Sequence, residues 1–206
     1  MASVLVPLAQ GCEELEATTI VDLLRRAEVG VVTAGLDDKP VRASRGMVLV
    51  PDTTLDQALK QEYDMVVLPG GLPGADNLNN DPRIRAFVTR MAASDRFTAA
   101  ICAAPKVLAS AGLLNGRKAT AFPGVLDAFE GLHYRSDPVV RDGKVITSRG
   151  PGTAMDFSLE LIELLVGKEK RDQVEAVRRR EGLRLGGEQS GHIVFGHDHF
   201  HIADGI

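Results

Sequence analysis

The chemistry available to this chain concentrates in a few short stretches. It holds two cysteines, Cys12 and Cys102, and five histidines, four of which fall in the last fifteen residues. Cys102 sits in AAICAAP, where an apolar run meets a thiol, two alanines and a proline. A nucleophile elbow has this form: a sharp strand-to-helix turn whose neighbours two residues away must be small. Ala100 and Ala104 occupy those two places, and Pro105 falls in a first helical turn, where a missing N–H costs nothing. A helix N-terminus beside the thiol would lower its pKa below about 8.5 and favour the thiolate. The competing reading is a small, inert, buried cysteine. An attacking thiolate also needs donors for a developing oxyanion. The N–H groups of Gly70 and Gly71, after the apolar run MVVL, and of Ala103 could supply them, although Gly70-Gly71 taken alone reads more readily as a tight turn.

No histidine stands where it reads as a base for Cys102, and His133 lies in a stretch without clear periodicity, so a Cys/His/Asp triad is poorly supported. The acids of GCEELEA are better partners. Glu16, protonated, could hydrogen-bond the thiol and favour its ionised form, while Glu13 and Glu14 read as helix-capping residues. Cys12 is either a resolving thiol or a bystander. Near the C-terminus His197, His199 and His201 alternate. In a strand they would share a face and, with His192 and Asp198, could take zinc or nickel; a solvated tail is the better reading, and no metal site is expected. HIVF (192–195) could also add a strand to a sheet edge. No GxxxxGK[ST] phosphate loop is present.

The elements that must position these residues follow from periodicity. SVLVPLA, VGVVTAG, YDMVVLPGG and FTAAI read as buried strands, with Pro7 awkward inside the first. Helical spacing runs through EELEATTIVDLLRRAE, with acids early and Arg25–Arg26 late, as the helix dipole prefers. Further helices are expected in TLDQALK, from Pro82 to Met91 behind an Asp81 cap, in PKVLASAGLL with a stop at Gly112, from Thr153, and in EKRDQVEAVRRR. Residues 41–50 and VVRDGKVIT read as hairpins. Strands alternating with helices imply an α/β fold with a mostly parallel sheet, helices on both faces, and ligand sites beyond the carboxyl ends of the strands.

Composition narrows the function. The chain has 206 residues, enough for one domain with a sizeable core, 44% hydrophobic and 25% charged. A net charge of −4, no Trp and 4% aromatics argue against a nucleic-acid surface or a base-stacking platform. Two distant cysteines do not make a disulfide framework, and MASVLVPLAQG lacks a signal peptide's basic and long apolar regions. A cytoplasmic protein without membrane association is the expectation.

The blocks GCEELEA, VDLLRRAE, ASRGMVLVPD, YDMVVLPGGLPGADNL, AAICAAPKVLA and TSRGPGTAMDF, in that order over residues 3–175, resemble the ThiJ/PfpI superfamily. They are most similar to its branch of YajL proteins and the parkinsonism-associated deglycase. The resemblance implies a flavodoxin-like three-layer sandwich, a homodimer and no cofactor. It implies Cys102 as the reactive cysteine, Glu16 as the protonated acid beside it, and Gly71 and Ala103 as backbone donors. Gly70, Arg25, Arg26, Arg45 and Pro151 would line the pocket or the dimer contact. The implied activity is a protein/nucleotide deglycase and glutathione-independent glyoxalase acting on methylglyoxal, glyoxal or their adducts; the alternative is an oxidation-sensing redox chaperone without turnover. Phe122 stands where some members carry a histidine, as in the YajL branch, which leaves the general base open and puts more weight on Glu16. Ala103 stands where hydrolytic members have a histidine, which argues against a protease. This likeness covers residues 1–180. In residues 181–206, GGEQSGH resembles the sugar-recognition loop of phosphohexomutases, too short a piece to carry that activity and readable as a fusion scar.

Overall fold

Six residues, mostly apolar, open the chain as strand β1 (Ser3–Leu8), and five of them are buried. The computed structural model describes residues 1–180 and the strands 184–187 and 193–196, with side chains described to residue 176. Helix α1 (Glu14–Arg26) follows, then β2 (Gly30–Gly35), the short strands β3 (Val41–Arg42), β4 (Val48–Leu49) and β5 (Thr53–Thr54), and the single turn α2 (Leu55–Ala58). Next come β6 (Met65–Leu68), α3 (Leu72–Asn80), α4 (Pro82–Ala93), β7 (Phe97–Ile101) and α5 (Pro105–Ser110). Short β8 (Lys118–Ala119) and β9 (His133–Tyr134) precede β10 (Val139–Asp142) and β11 (Val145–Ser148). A 3₁₀ turn (Pro151–Thr153) leads into α6 (Ala154–Val166) and α7 (Lys168–Arg180); β12 (Arg184–Gly187) and β13 (Ile193–Gly196) end the described chain.

Seven strands form one sheet in the order β10-β11-β7-β6-β1-β2-β5. All pairings are parallel except β10 with β11, the hairpin read from the Asp142-Gly143 turn, where Gly143 takes φ +63°. The inner strands are apolar on both faces because helices cover both. On α1, Ile20, Leu23 and Leu24 form the buried stripe, and the helix packs against α6. Helices α3, α4 and α5 pack on one another, with α4 and α5 against β7. The fold is the expected flavodoxin-like sandwich. Pro7 is accommodated because the β1–β6 ladder is registered only at Val4 and Leu5, leaving Pro7 opposite Ala34 of β2.

Chain order and space order diverge at β1: β2 lies on one side and β6 on the other. The crevice at the carboxyl ends of β1 and β6 is therefore a topological switch point, where open α/β sheets bind ligands. The loops leaving those strands carry Cys12, Glu13 and the Gly70-Gly71 pair.

Two elements differ from the sequence reading. Helix α3 forms in LPGADNLNN, whose Pro73, Gly74 and three asparagines signal no helix. Buried Gly74, Ala75 and Leu78 hold it by packing, and a Cβ on Gly74 would lie 2.6 Å from Cys12 Cα. Near the C-terminus, β13 pairs antiparallel with β12 as a separate ribbon and does not extend the central sheet. His192, His197, His199 and His201 lie outside the described residues. Among the described residues, no cluster of His, Cys, Asp and Glu could hold a metal ion, and no helix is long and apolar enough to cross a membrane.

Phe157 on α6 is fully buried and is among the largest side chains of the core. Phe157→Ala should cost about 3–5 kcal/mol, read as a lower urea midpoint at unchanged slope. A loss under 1 kcal/mol would show that α6 contributes little to the core.

Candidate functional site

Cys102 follows β7 directly and has φ +62°, a left-handed conformation that costs a non-glycine residue about 1–2 kcal/mol. Three backbone hydrogen bonds hold it there. Its N–H donates to Ser148 O on β11 at 2.9 Å, its carbonyl accepts from Phe122 N–H at 2.8 Å, and Ala104 N–H donates to Ile101 O at 3.0 Å. This is the strand–nucleophile–helix turn expected of AAICAAP. Both cysteines are free thiols, and Cys102 retains 8% of its surface accessible.

Glu16, in the first turn of α1, is fully buried. Glu13 places it: the Glu13 carboxylate accepts the Glu16 N–H at 2.7 Å as the helix N-cap, and Glu13 N–H donates to Gly70 O at 2.9 Å. Gly70 N–H in turn donates to Glu16 Oε2 at 2.8 Å. Glu16 Oε1 is buried without a protein partner, and the carboxyl lies beside Cys102, so each group raises or lowers the other's proton affinity. Gly70 makes this contact possible. A Cβ there would lie 2.5 Å from Cys102 Cβ and 2.7 Å from Glu16 Oε2. Gly71 is equally constrained, with φ +86° and a would-be Cβ against Gly11 O and Glu13 N.

Burial pushes Glu16 up to about 8, helped by the charge of Glu13 and opposed by the Gly70 N–H, so the carboxyl is mainly neutral at pH 7. Cys102 is pushed up to about 12, first by burial and then by a negative charge on Glu16; the N–H groups of Gly71 and Ala103 oppose this. The expected lowering of the thiol by a helix dipole is therefore corrected. Helix α5 has only six residues and begins at Pro105, and desolvation of the buried sulfur outweighs it. The two groups titrate as a pair. When Glu16 holds its proton, the charge that opposes thiol ionisation is gone, and two N–H donors remain to hold a thiolate.

The remaining predicted residues divide by location. Pro151 opens the turn after β11, next to Gly150, whose would-be Cβ lies 4.0 Å from Cys102 Sγ and 3.6 Å from Phe122 Cδ2. Arg45 lies in an exposed turn latched to α1: Glu14 accepts the Arg45 N–H at 2.8 Å and the Ser44 hydroxyl at 3.0 Å. Of the two acids read as caps, only Glu13 caps the helix; Glu14 holds this turn. Arg25 pairs with Asp52 at 2.7 Å and Arg26 with Asp22 at 2.8 Å. They stand about 14 Å along α1 from Glu16 and are not brought to the thiol within this chain. His133 is exposed on β9. Cys12 is buried and pushed up to about 12 by desolvation and by the charges of Glu14 and Glu13, which keeps its thiol protonated. Ser148 and Gly150 escaped the sequence reading because neither residue type announces a role; SRGPGT drew notice only as part of a family block.

A model of the DJ-1/PfpI family matches residues 2–164. The chain belongs to this family. It is 44% identical over 177 residues to the zebrafish (Danio rerio) Parkinson disease protein 7 homolog, covering 84% of this chain and 94% of that protein. Protein DJ-1 homolog B of Arabidopsis thaliana is also 44% identical, and this chain spans 39% of its length. Glutathione-independent glyoxalase DJR-1.2 of Caenorhabditis elegans is 35% identical over 84% of this chain and 92% of its own. The crystal structure of Drosophila melanogaster DJ-1beta superposes with a TM-score of 0.83 at 41% identity, covering 85% of this chain and 96% of that one. A second family model, phosphoglucomutase/phosphomannomutase alpha/beta/alpha domain III, matches residues 143–206 and overlaps the first over 143–164.

Folding raises the Glu16 pKa from 4.5 to about 8, so the native state binds this proton more tightly than the unfolded chain. The resulting stabilisation is complete below pH 4.5 and is lost as the pH rises through about 8. Glu16→Gln keeps the neutral shape and should therefore gain in Tm relative to wild type from pH 5 to pH 8; a constant difference would show that Glu16 is already ionised at pH 5. Gly70→Ala should cost about 1–3 kcal/mol by denaturant unfolding, and an unchanged midpoint would contradict the contact described.

Proposed function

We propose that this chain is a cysteine-dependent glyoxalase and deglycase that uses no cofactor and acts on methylglyoxal, glyoxal or their adducts with Cys, Lys and Arg side chains and nucleotides. The observation that carries the reading is a mainly neutral, fully buried Glu16 carboxyl held by Gly70 N–H beside Cys102. A nucleophile and a neutral proton donor thus sit side by side, at the strand ends where this fold places ligands. The glyoxalase name of the 35% identical nematode relative supports the same chemistry.

On methylglyoxal, the Cys102 thiol loses its proton to solvent as Sγ bonds to the aldehyde carbon. The carbonyl π pair moves onto oxygen, is held by the N–H groups of Gly71 and Ala103, and takes the Glu16 proton. The Glu16 carboxylate then removes the hydrogen on that carbon and the proton returns to the adjacent carbon, isomerising the hemithioacetal to a lactoyl thioester. Water cleaves the C–S bond, its hydroxyl passing to the acyl carbon and its proton to sulfur, and the acid proton of the product returns to Glu16, so one methylglyoxal and one water make one lactate and one proton. For an adduct, the same attack follows its reversible opening. The proposal extends to a homodimer. The β3–β4 hairpin supports this by exposing Met47, Val48 and Val50 beside Arg45.

Lactate formation from methylglyoxal should proceed through many turnovers in wild type. It should fall at least about 10³-fold in Cys102→Ser and about 10²-fold in Glu16→Gln. Silence in wild type, with Cys102 still readily oxidised by peroxide, would replace the enzyme with the redox-sensing chaperone.

A further inference from the structure

Phe122 is left without a role by the steps above. The residue is 46% exposed, and among the described residues its ring has no aromatic or cationic partner. The backbone fixes its place, since its N–H is bonded to the carbonyl of Cys102 itself at 2.8 Å. Gly150 lies between ring and thiol. Its φ of 164° and ψ of −165° are extended values open to any residue, so no turn demands glycine there. A Cβ on Gly150 would reach Phe122 Cδ2 at 3.6 Å and Cys102 Sγ at 4.0 Å, ordinary contact distances. Glycine at 150 thus leaves open a space bordered by both the reacting sulfur and the Phe122 ring. Water gains little from a surface of ring carbons and sulfur, whereas an apolar group gains contact with both.

We propose that the space bounded by the Phe122 ring, Gly150 and Cys102 Sγ is a subsite for an apolar substituent next to the carbon under attack, so that the site selects 2-oxoaldehydes bearing a methyl or aryl group over glyoxal. The proposal rests on the catalytic reading of Cys102, but the geometry of the subsite can be tested without turnover. Phe122 is then a specificity-determining residue: it contacts the substituent and takes no part in proton transfer. A methyl filling a hydrophobic pocket discriminates about 10-fold or more, which sets the effect to be measured.

The test is alkylation of Cys102 by phenacyl bromide and by iodoacetamide, followed by peptide mass mapping to separate it from Cys12. In both reactions a C–S bond forms as the carbon–halogen bond breaks, halide leaves, and the thiol proton passes to solvent. Only phenacyl bromide carries an aryl ketone beside the attacked carbon. The ratio of the two rates should fall about 10-fold in Phe122→Ala and similarly in Gly150→Ala, whose methyl occupies the space. It should stay within about threefold of wild type in Phe122→Leu, which preserves an apolar wall. The methylglyoxal-to-glyoxal ratio of kcat/KM should follow the same order. A ratio unchanged in either alanine variant, or a leucine variant as impaired as Phe122→Ala, overturns the subsite. Alkylation ratios in the expected order from a wild type without turnover would support the subsite and remove the enzyme reading instead.

Discussion

One close approach governs the site: the Gly70 backbone lies against the Cys102 side chain on one side and the Glu16 carboxyl on the other. No residue with a Cβ fits there, so the ends of β6 and β7 and the start of α1 are locked together by a missing atom. A fully buried carboxyl would be costly if charged and unpaired. Here it gains one backbone N–H and the thiol, and burial leaves it mainly neutral at pH 7. The switch point of the sheet explains why these loops meet. Strands β1 and β6 are neighbours in space although about 60 residues separate them in the chain.

Around that contact the protein places strain and charge in a definite order. The left-handed backbone at Cys102 is held by strand β11 on one side and the Phe122 turn on the other, so the conformational cost is met by hydrogen bonds from two directions. The thiol gains two N–H donors but loses most of its water, and desolvation is the larger effect. The sulfur is therefore not a free-standing acidic thiol. Its ionisation is tied to the proton on Glu16, and a low-dielectric pocket makes that tie strong.

The electrostatic partners farther out do structural work. Glu13 and Glu14 face different ways from adjacent positions: one caps α1 and bonds the Gly70 carbonyl through its N–H, the other latches the Ser44–Arg45 turn. Arg25 and Arg26 complete the charge gradient of α1 at its far end, where Asp52 and Asp22 hold them. Exposed pairs of this kind contribute little stability individually. The organisation of the site rests on backbone donors and on packing around Gly70 and Gly74.

Most of the elements and the elbow are legible in the chain before it folds. Periodicity marks β1, α1, β2, β6, β7 and α6, because apolar runs and 3.6-residue stripes report burial directly. AAICAAP is legible because a tight turn restricts its neighbours to small residues, and Glu16 stands out as an acid at a strand's carboxyl end. The rest emerges only when distant segments pack together. Helix α3 forms against the Cys12 backbone, a contact no local propensity encodes. The thiol's proton affinity depends on how much water the assembled core removes, which reversed the shift expected from a local helix dipole. Gly150 and Ser148 acquire their places only when β11 pairs with β7. Distances between residues far apart in the chain are set by strand order, and strand order is a property of the folded sheet.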